Sequence, residues 1–297
     1  MFFFIKDSKL ANFADDTTLY TTNDTMDKLL ETLKCDTTIL QNWFRMNEMK
    51  ANEDKYHLIV CKEKDLSITL DNATLISKDS VELLGVTLDK ELSLTKHITK
   101  LNKQANQKLH ALARISNYLT EEKRKMIMKA FVHSQFNYCP MVWMFHNRSL
   151  NKKINNIHNR ALKIAYKTEH LNFEELLEKD DAVTVHQKNL QKLATQMYKV
   201  KYKLSPTPMQ ELFTEKEYRY DLRNKRSWNM HTMRTLNYGI ETITNMGPKI
   251  WDLVPTDIKQ SKTLVEFKKK IKKWKTISCE CRLCKSYIYS LGYINSI

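Results

Sequence analysis

The pattern of apolar residues changes near residue 95 and divides the chain into a mixed N-terminal part and a helical remainder. In the first part, short apolar and β-branched runs alternate with polar clusters, which is typical of strands. Candidate strands lie at residues 11–14, 17–20, 56–61, 67–70 and 81–88. A helix is predicted after Thr25, because apolar residues recur there at helical spacing. Its apolar face consists of Met26, Leu29, Leu33, Leu40 and Phe44.

Apolar residues spaced by three and four dominate the chain after residue 95 and predict amphipathic helices. The stripes lie within residues 98–115, 154–164, 183–204 and 264–274. His186 belongs to the third stripe, and a single histidine on an apolar stripe is expected to pack in the core. Residues 206–262 lack a regular period, which predicts an irregular segment.

These patterns together predict an α+β fold in three parts. Residues 1–88 are expected to form a short antiparallel sheet with a helix, residues 89–205 an all-helical domain, and residues 206–297 a basic C-terminal region. No apolar run approaches the roughly 18 residues of a membrane span, and the apolar patch at residues 2–5 is too short for a secretory signal. The six scattered cysteines do not suggest a disulfide framework. We therefore expect an intracellular protein, nuclear or cytoplasmic, that is not secreted and has no membrane partner.

Glycine is rare, and its rarity excludes several classes of enzyme. The chain has only four glycines, Gly85, Gly239, Gly247 and Gly292, and their spacing forms neither a G-x-G-x-x-G fingerprint nor a Walker A loop. Glycine-loop phosphate binding is thus excluded, and with it the common dinucleotide-dependent enzymes and P-loop NTPases.

The net charge of +15 is unevenly distributed along the chain. Residues 1–88 contain ten Lys and Arg against fifteen Asp and Glu, a net charge of −5. Residues 89–297 contain thirty-nine against nineteen, a net charge of +20. A strongly basic body indicates a polyanionic partner. A genome bias towards lysine is the alternative explanation, although it does not account for the acidic first part.

Two neighbouring aspartates, Asp15 and Asp16, separate the first two candidate strands within the segment FADD. Side chains of adjacent strand residues point to opposite faces, so two neighbouring carboxylates converge on one site only at a turn. A hairpin with such a tip would supply the hard oxygen ligands that Mg²⁺ prefers. Two such ions about 4 Å apart can activate a primer 3′-oxygen and stabilise departing pyrophosphate. A solvated turn is the ordinary alternative.

The motifs along the chain resemble, in type and order, those of reverse transcriptases from non-LTR (LINE-type, jockey-like) retrotransposons. Residues 13–20 (FADDTTLY) resemble the catalytic hairpin of that family, residues 83–89 (LLGVTLD) its primer grip, and residues 97–98 the start of its helical thumb. The similarity covers nearly the whole chain, because it continues through residues 136–140 (FNYCP), 160–162 (RAL), 247–251 (GPKIW) and 279–284 (CECRLC).

The resemblance implies the second half of a reverse-transcriptase palm, followed by a helical thumb and a basic tail. The enzymes of this family copy an RNA template by extending a DNA primer. On this basis Asp15 and Asp16 would hold Mg²⁺, Lys55 would neutralise the departing pyrophosphate, and the backbone at Gly85 and Val86 would contact the primer end. For Lys55, the alternative is a lysine that faces solvent. For Gly85 and Val86, the alternative is a tight turn beside a buried strand.

The resemblance also implies that part of the catalytic site is missing. In this family, fingers and a first palm half precede the hairpin and carry another metal-binding aspartate, whereas only twelve residues precede Phe13 here. We therefore expect a fragment of an RNA-directed DNA polymerase that is inactive alone, unless the N-terminal half is supplied in trans. The alternatives are a non-catalytic RNA- or DNA-binding remnant and an open reading frame whose product has no function.

The lysines near the C-terminus form a candidate nucleic-acid interface. Residues 262–275 contain seven lysines and one glutamate around an apolar stripe, and such a face is expected to neutralise phosphates in a salt-sensitive manner. The candidate contacts are Lys268, Lys269, Lys270, Lys272 and Lys273. A membrane surface and a merely solvated face are the alternatives.

Aromatic and thiol groups near this region offer two further hypotheses. Trp228, Trp251 and Trp274 lie among basic residues, where they would either stack on bases or pack in the core. The thiols Cys279, Cys281 and Cys284 form a C-x-C-x-x-C cluster of candidate zinc ligands. A structural zinc site needs four ligands, so the fourth would come from upstream, for instance from Cys139 or His231.

Overall fold

The computed structural model describes residues 5–50, 52–61, 66–70, 73–217, 227–230, 240 and 242–275. Within these residues, helices combine with small antiparallel sheets, so the α+β class is confirmed. The chain divides into two compact units, residues 1–91 and residues 92–297. Among the described helices, none combines the length and the apolar character needed to cross a bilayer.

The described part of the first unit consists of one long helix and three two-stranded hairpins. Its elements are β1 (Lys9–Phe13), β2 (Asp16–Tyr20), α1 (Met26–Met46), β3 (Ser67–Leu70), β4 (Ala73–Ile76), β5 (Ser80–Leu83) and β6 (Val86–Asp89). Each hairpin pairs consecutive strands in antiparallel register. Helix α1 packs against β3, where Leu40, Ile68 and Leu70 are buried.

A buried carboxylate fixes the start of the first hairpin to α1. Asp36 lies on α1 and is 1% exposed, and its Oδ2 accepts a hydrogen bond of 2.7 Å from the backbone N–H of Ser8. A buried carboxylate is costly unless it is paired or hydrogen-bonded. This bond therefore determines which face of α1 meets the base of the hairpin.

Two of the predicted strands differ in the structure. Residues 56–61 form only an isolated bridge, from Leu58 to Ser77, so the strand prediction there was wrong. Residues 81–88 fold back on themselves as the hairpin β5–β6, since Leu84 and Gly85 take φ angles of 47° and 80°. Two consecutive positive φ angles are typical of the two-residue turns that close hairpins.

The described part of the second unit is mainly helical and contains one isolated antiparallel bridge, between Glu215 and Trp228. Its helices are α2 (Thr95–Ile115), α3 (Glu121–Ile127), α4 (Pro140–Trp143), α5 (Arg148–Tyr166), α6 (Phe173–Lys179), α7 (Val185–Lys201), α8 (Thr207–Gln210), α9 (Ile243–Leu253), α10 (Thr256–Lys259) and α11 (Leu264–Ile271). The helices predicted from the four long apolar stripes are confirmed as α2, α5, α7 and α11. Side-chain oxygens at five helix starts, those of Thr120, Asn147, Asn172, Thr184 and Thr263, accept backbone N–H groups, which satisfies donors that lack an intrahelical partner.

Two hydrophobic cores hold the helical unit together. The first lies mainly between α2 and α5 and includes the fully buried side chains of Ile98, Leu109, Ile154 and Ala161. The second is formed by α7, α9 and α11 and includes Leu193, Met197, Ile250, Trp251 and Phe267. The segment after residue 205 thus packs on α7.

A buried cation closes the end of α5. The guanidinium of Arg124 on α3 donates from Nε to the carbonyl of Ala165 at 2.8 Å and from Nη1 to the carbonyl of Leu119. The last carbonyls of a helix lack intrahelical donors, so Arg124 satisfies one of them while tying α3 to α5.

Helix α9 was not expected, and the prediction of an irregular segment was wrong for residues 243–253. Gly247 and Pro248 are poor helix formers and conceal the helix in the sequence. In the structure, a Cβ at residue 247 would lie 2.7 Å from Met197 Sδ and 3.2 Å from Phe213 Cε1. Glycine therefore allows α9 to approach α7 closely.

Replacing Gly247 with alanine is expected to lower the free energy of unfolding by about 1–3 kcal/mol, because the added methyl group overlaps side chains in a packed core. Alanine is the better helix former by about 1 kcal/mol, so helix propensity alone predicts the opposite sign. Urea denaturation followed by circular dichroism measures the change. Lys249→Ala, on the same helix but partly exposed, is the control and should change stability by less than about 0.5 kcal/mol. A Gly247→Ala variant as stable as the wild type would contradict the close packing.

Candidate functional site

The neighbouring aspartates Asp15 and Asp16 lie at the tip of a tight hairpin, as the sequence predicts. Phe13 pairs with Asp16, so Ala14 and Asp15 form the two-residue turn and Asp16 begins β2. Ala14 takes a φ of 53°, a conformation that is costly for a side chain with a Cβ. Both carboxylates are exposed, and the neighbouring Phe13 is 67% exposed. The tip therefore presents two acidic groups and an aromatic ring to solvent.

The carboxylates at the tip do not belong to a larger group of metal ligands within the described residues. No cluster of three or more His, Cys, Asp or Glu side chains suited to a metal ion is found there. Exposed carboxylates are suitable ligands for Mg²⁺, which keeps several waters and takes only one or two protein carboxylates in many phosphate-binding sites. Asp15 and Asp16 thus fit Mg²⁺ as two members of a ligand set that needs further members.

Lys55 lies in a different local structure from the hairpin. It ends a short 3₁₀ turn, Glu53–Lys55, and its side chain is exposed. No hydrogen bond or ion pair joins Lys55 to Asp15 or Asp16 in the part of the chain that the structure describes. A role for Lys55 at the phosphates stays a prediction.

Gly85 and Val86 lie at and beside the turn of the third hairpin. Gly85 is the second turn residue, with a φ of 80°, and Val86 begins β6 with its side chain 7% exposed. The structural alternative, a tight turn beside a buried strand, describes this local geometry. Contact of this backbone with a primer stays a prediction.

The lysines of the basic C-terminal helix differ in what surrounds them. Helix α11 buries Phe267 and Ile271, and Lys268, Lys269, Lys272 and Lys273 are exposed around it. Lys270 is instead paired with Glu266 at 2.7 Å across one helical turn, and this hydrogen bond lowers the pKa of Glu266. Of the five candidate phosphate contacts, Lys270 is therefore already neutralised.

The tryptophans and the histidine singled out in the sequence pack in the core. Trp228, Trp251 and Trp274 are 2%, 0% and 8% exposed, so of the two alternatives for these rings the structure shows core packing. His186 is 7% exposed on α7, which confirms a packed core position. The thiols Cys279, Cys281 and Cys284 lie outside the described residues.

Several lysines lie close together around Lys188, and of these only Lys272 was singled out in the sequence. Lys188 and Lys192 lie one turn apart on α7, and the charges of Lys129 and Lys272 reach Lys188. These lysines are separated by up to 143 positions along the chain. No local pattern could have indicated their proximity, because it arises from the packing of elements that are far apart in the sequence.

Comparison of the chain with models of known protein families, with curated proteins and with solved structures finds no match. A function for the chain must therefore be argued from its residues and their arrangement.

Two imidazoles are in contact inside the first core of the helical unit. The rings of His133 and His158 lie edge to face with centroids 4.3 Å apart, and Phe173 packs on His158 at 5.4 Å. Burial, together with the charge of nearby Lys188, lowers the pKa of His133 to about 4. Burial, together with His133 and Lys188, lowers the pKa of His158 to about 3. Asp180 opposes this effect for His133. Both rings are therefore neutral in the folded protein at pH 7.

The histidine pair predicts acid sensitivity with a definite sign. Histidine in an unfolded chain has a pKa of about 6.5, so below that pH the unfolded state binds more protons than the folded state. The contribution of the pair to stability is complete above pH 6.5 and is lost as the pH falls towards the folded pKa values of about 4 and about 3.

Replacing His158 with leucine is expected to make the pH dependence of stability shallower by up to about 1.4 kcal/mol per pH unit between about pH 6 and pH 4. Urea denaturation at a series of pH values measures this slope for the wild type and the variant. His110→Gln, at an exposed position of α2, should leave the slope unchanged. Parallel stability curves for wild type and His158→Leu would show that the imidazole is not kept neutral by the fold.

Proposed function

We propose that this chain is the palm-hairpin and thumb portion of an RNA-directed DNA polymerase of the non-LTR retrotransposon type. The observation that carries the proposal is the FADD segment, which forms a two-residue hairpin turn with both aspartates exposed at its tip. The motif order along the rest of the chain supports the same function, as does the change from a small mixed unit to a basic helical one.

The hairpin suits nucleotidyl transfer because of where its carboxylates stand. Asp15 in the turn and Asp16 at the start of β2 are adjacent, exposed and anchored through a short hairpin whose base is held by Asp36. Bound Mg²⁺ would supply charge stabilisation at the attacking and departing oxygens. Asp15 and Asp16 would bind and orient the ion, and the remaining ligands would come from water, from nucleotide phosphates and from a further carboxylate.

The helical unit suits the binding of a polyanion. The chain from residue 89 onwards carries a net charge of +20, and lysines on α11 stand exposed around a buried apolar face. Lysine contacts to phosphates release condensed counterions, which makes affinity strongly salt-dependent. The partners would be an RNA template and a DNA primer, whose phosphates the basic helical unit would bind while the hairpin takes part in primer extension.

A second candidate function is nucleic-acid binding without catalysis. The observation that favours it is the ligand count, since no third candidate ligand joins Asp15 and Asp16 within the described residues. A two-carboxylate site would bind Mg²⁺ weakly and would not fix the geometry of attack. A polymerase requires metal at the hairpin and primer extension that depends on the hairpin. Nucleic-acid binding without catalysis requires neither.

Divalent metal is expected to bind at the hairpin tip of the polymerase proposed here. Mn²⁺ added with a primer–template and dNTP should broaden the amide NMR signals of residues 13–17 selectively, and Asp15→Asn should abolish the broadening because one of two protein ligands is lost. Asp24→Asn, an exposed aspartate in the loop after the hairpin, should leave it intact. Absence of selective broadening in the wild type would contradict the polymerase proposal.

Primer extension by the purified chain alone should not exceed that of the Asp15→Asn variant, because two carboxylates form an incomplete ligand set. Incorporation of labelled dNTP on an RNA template measures this. Extension that is abolished by Asp15→Asn would show that the chain catalyses by itself and would exclude the purely binding function.

A further inference from the structure

Four lysines from three separate parts of the helical unit form a cluster, which we call the lysine cluster. Its members are Lys129, in the π-helical turn after α3, Lys188 and Lys192 on α7, and Lys272, just after α11. Lys129, Lys188 and Lys272 are exposed, and Lys192 is half-buried. The cluster therefore presents its charge at the surface.

Helix geometry places two members side by side. Lys188 and Lys192 are four residues apart on α7 and so lie on the same face. The Nζ of Lys192 donates a hydrogen bond of 3.2 Å to Oδ1 of Asn137, a neutral partner that orients the ammonium group without neutralising it.

Two glutamines of α7 hold the segment that contains Lys272 close to the face of Lys188 and Lys192. Nε2 of Gln191 donates to the carbonyls of Lys272 at 3.1 Å and Trp274 at 2.9 Å, and Nε2 of Gln187 donates to the same Trp274 carbonyl at 3.2 Å. These bonds hold the end of α11 against the first half of α7. The position of Lys272 beside Lys188 is thus built into the packing of the unit.

The charges of the cluster are poorly compensated. Partial desolvation of the Lys188 ammonium group lowers its pKa, and the positive charges of Lys129 and Lys272 act in the same direction. The pKa of Lys192 is lowered by partial burial and by Lys188. Lys129 pairs with Asp180 at 3.2 Å, but no ion pair to Lys188, Lys192 or Lys272 exists among the described residues.

The arrangement is unfavourable for the protein alone. Like charges one turn apart repel each other, and positive charge near the start of a helix opposes the helix dipole. Lys188 is the fourth residue of α7 and experiences both effects. An anion at the cluster would relieve both, since it would interact favourably with the lysines and with the helix N-terminus.

We propose that the lysine cluster is a binding site for consecutive phosphates of a nucleic-acid backbone. The proposal rests on the proposed function and adds to it a particular phosphate-binding surface on α7 and the end of α11. A lipid surface fits less well, because a membrane-bound helix needs an exposed apolar face. The apolar residues of α7, including Leu190, Leu193 and Met197, are fully buried.

The test compares two doubly neutralised variants of the full chain. Lys188→Gln/Lys192→Gln removes two members of the cluster, and Lys152→Gln/Lys153→Gln removes two exposed lysines of α5 with the same change in net charge. Fluorescence anisotropy of a labelled RNA–DNA duplex gives the affinity between about 50 and 200 mM salt, the range over which phosphate contacts change affinity steeply.

The cluster variant is expected to bind roughly ten- to a hundred-fold more weakly at 100 mM salt, and its slope of log affinity against log salt should be shallower by about 2. The control variant should keep a slope close to that of the wild type. Thermal unfolding of the cluster variant should occur at the wild-type temperature or above, because repulsion within α7 is relieved. Weaker binding with a lowered unfolding temperature would instead indicate a structural role and would overturn the proposal.

The outcomes separate this proposal from the proposed function. If the wild type binds the duplex and the cluster variant binds as the control does, the cluster is not a phosphate site, although the proposed function stands. If the wild type binds no duplex, both proposals fail. Binding to phosphatidylserine vesicles that exceeds duplex binding and is lost in the cluster variant would overturn the assignment to nucleic acid in favour of a lipid headgroup.

Discussion

The close approach of α9 to α7 determines where the C-terminal helices of the helical unit lie. Gly247 leaves no side chain between the two helices, so Met197 and Phe213 pack directly against the backbone of α9. This contact places Trp251 in the second core, where its ring stacks on Phe267 of α11 with centroids 6.1 Å apart. A packed interior tolerates few alternative arrangements, so the position of α11 follows from that of α9.

The same packing determines the electrostatics of the unit. Phe267 also stacks on Tyr198 of α7 at 4.3 Å, and the Tyr198 hydroxyl donates to the carbonyl of Ser261 at 2.8 Å. With both ends of α11 held on α7, Lys272 reaches the face that carries Lys188. The lysine cluster is therefore a consequence of core packing rather than of lysine content alone.

Local features of the structure could be predicted from the sequence, and features that depend on contacts between distant residues could not. The long apolar stripes predicted α2, α5, α7 and α11, because a surface helix must bury one face. The FADD hairpin was also predictable, because its turn and both of its strands are adjacent in the sequence. Helix α9 was hidden by Gly247 and Pro248, whose poor propensity is overridden by burial. The proximity of Lys188 to Lys272 depends on tertiary packing, so no window of sequence contains it.

Two lysines of the helical unit are neutralised by carboxylates one helical turn away. Lys125 pairs with Glu121 at 2.9 Å, and Lys270 pairs with Glu266 at 2.7 Å. The turn of α7 between Lys188 and Lys192 contains Asn189, Leu190 and Gln191 instead, and these residues serve the core and the bonds to α11. Helices α3 and α11 each pair one lysine with a carboxylate one turn away, whereas the turn of α7 between Lys188 and Lys192 leaves two adjacent positive charges without a carboxylate. Adjacent like charges lower stability, which is typical of a surface whose charge is satisfied by a partner, and phosphate is the partner that lysine charge favours.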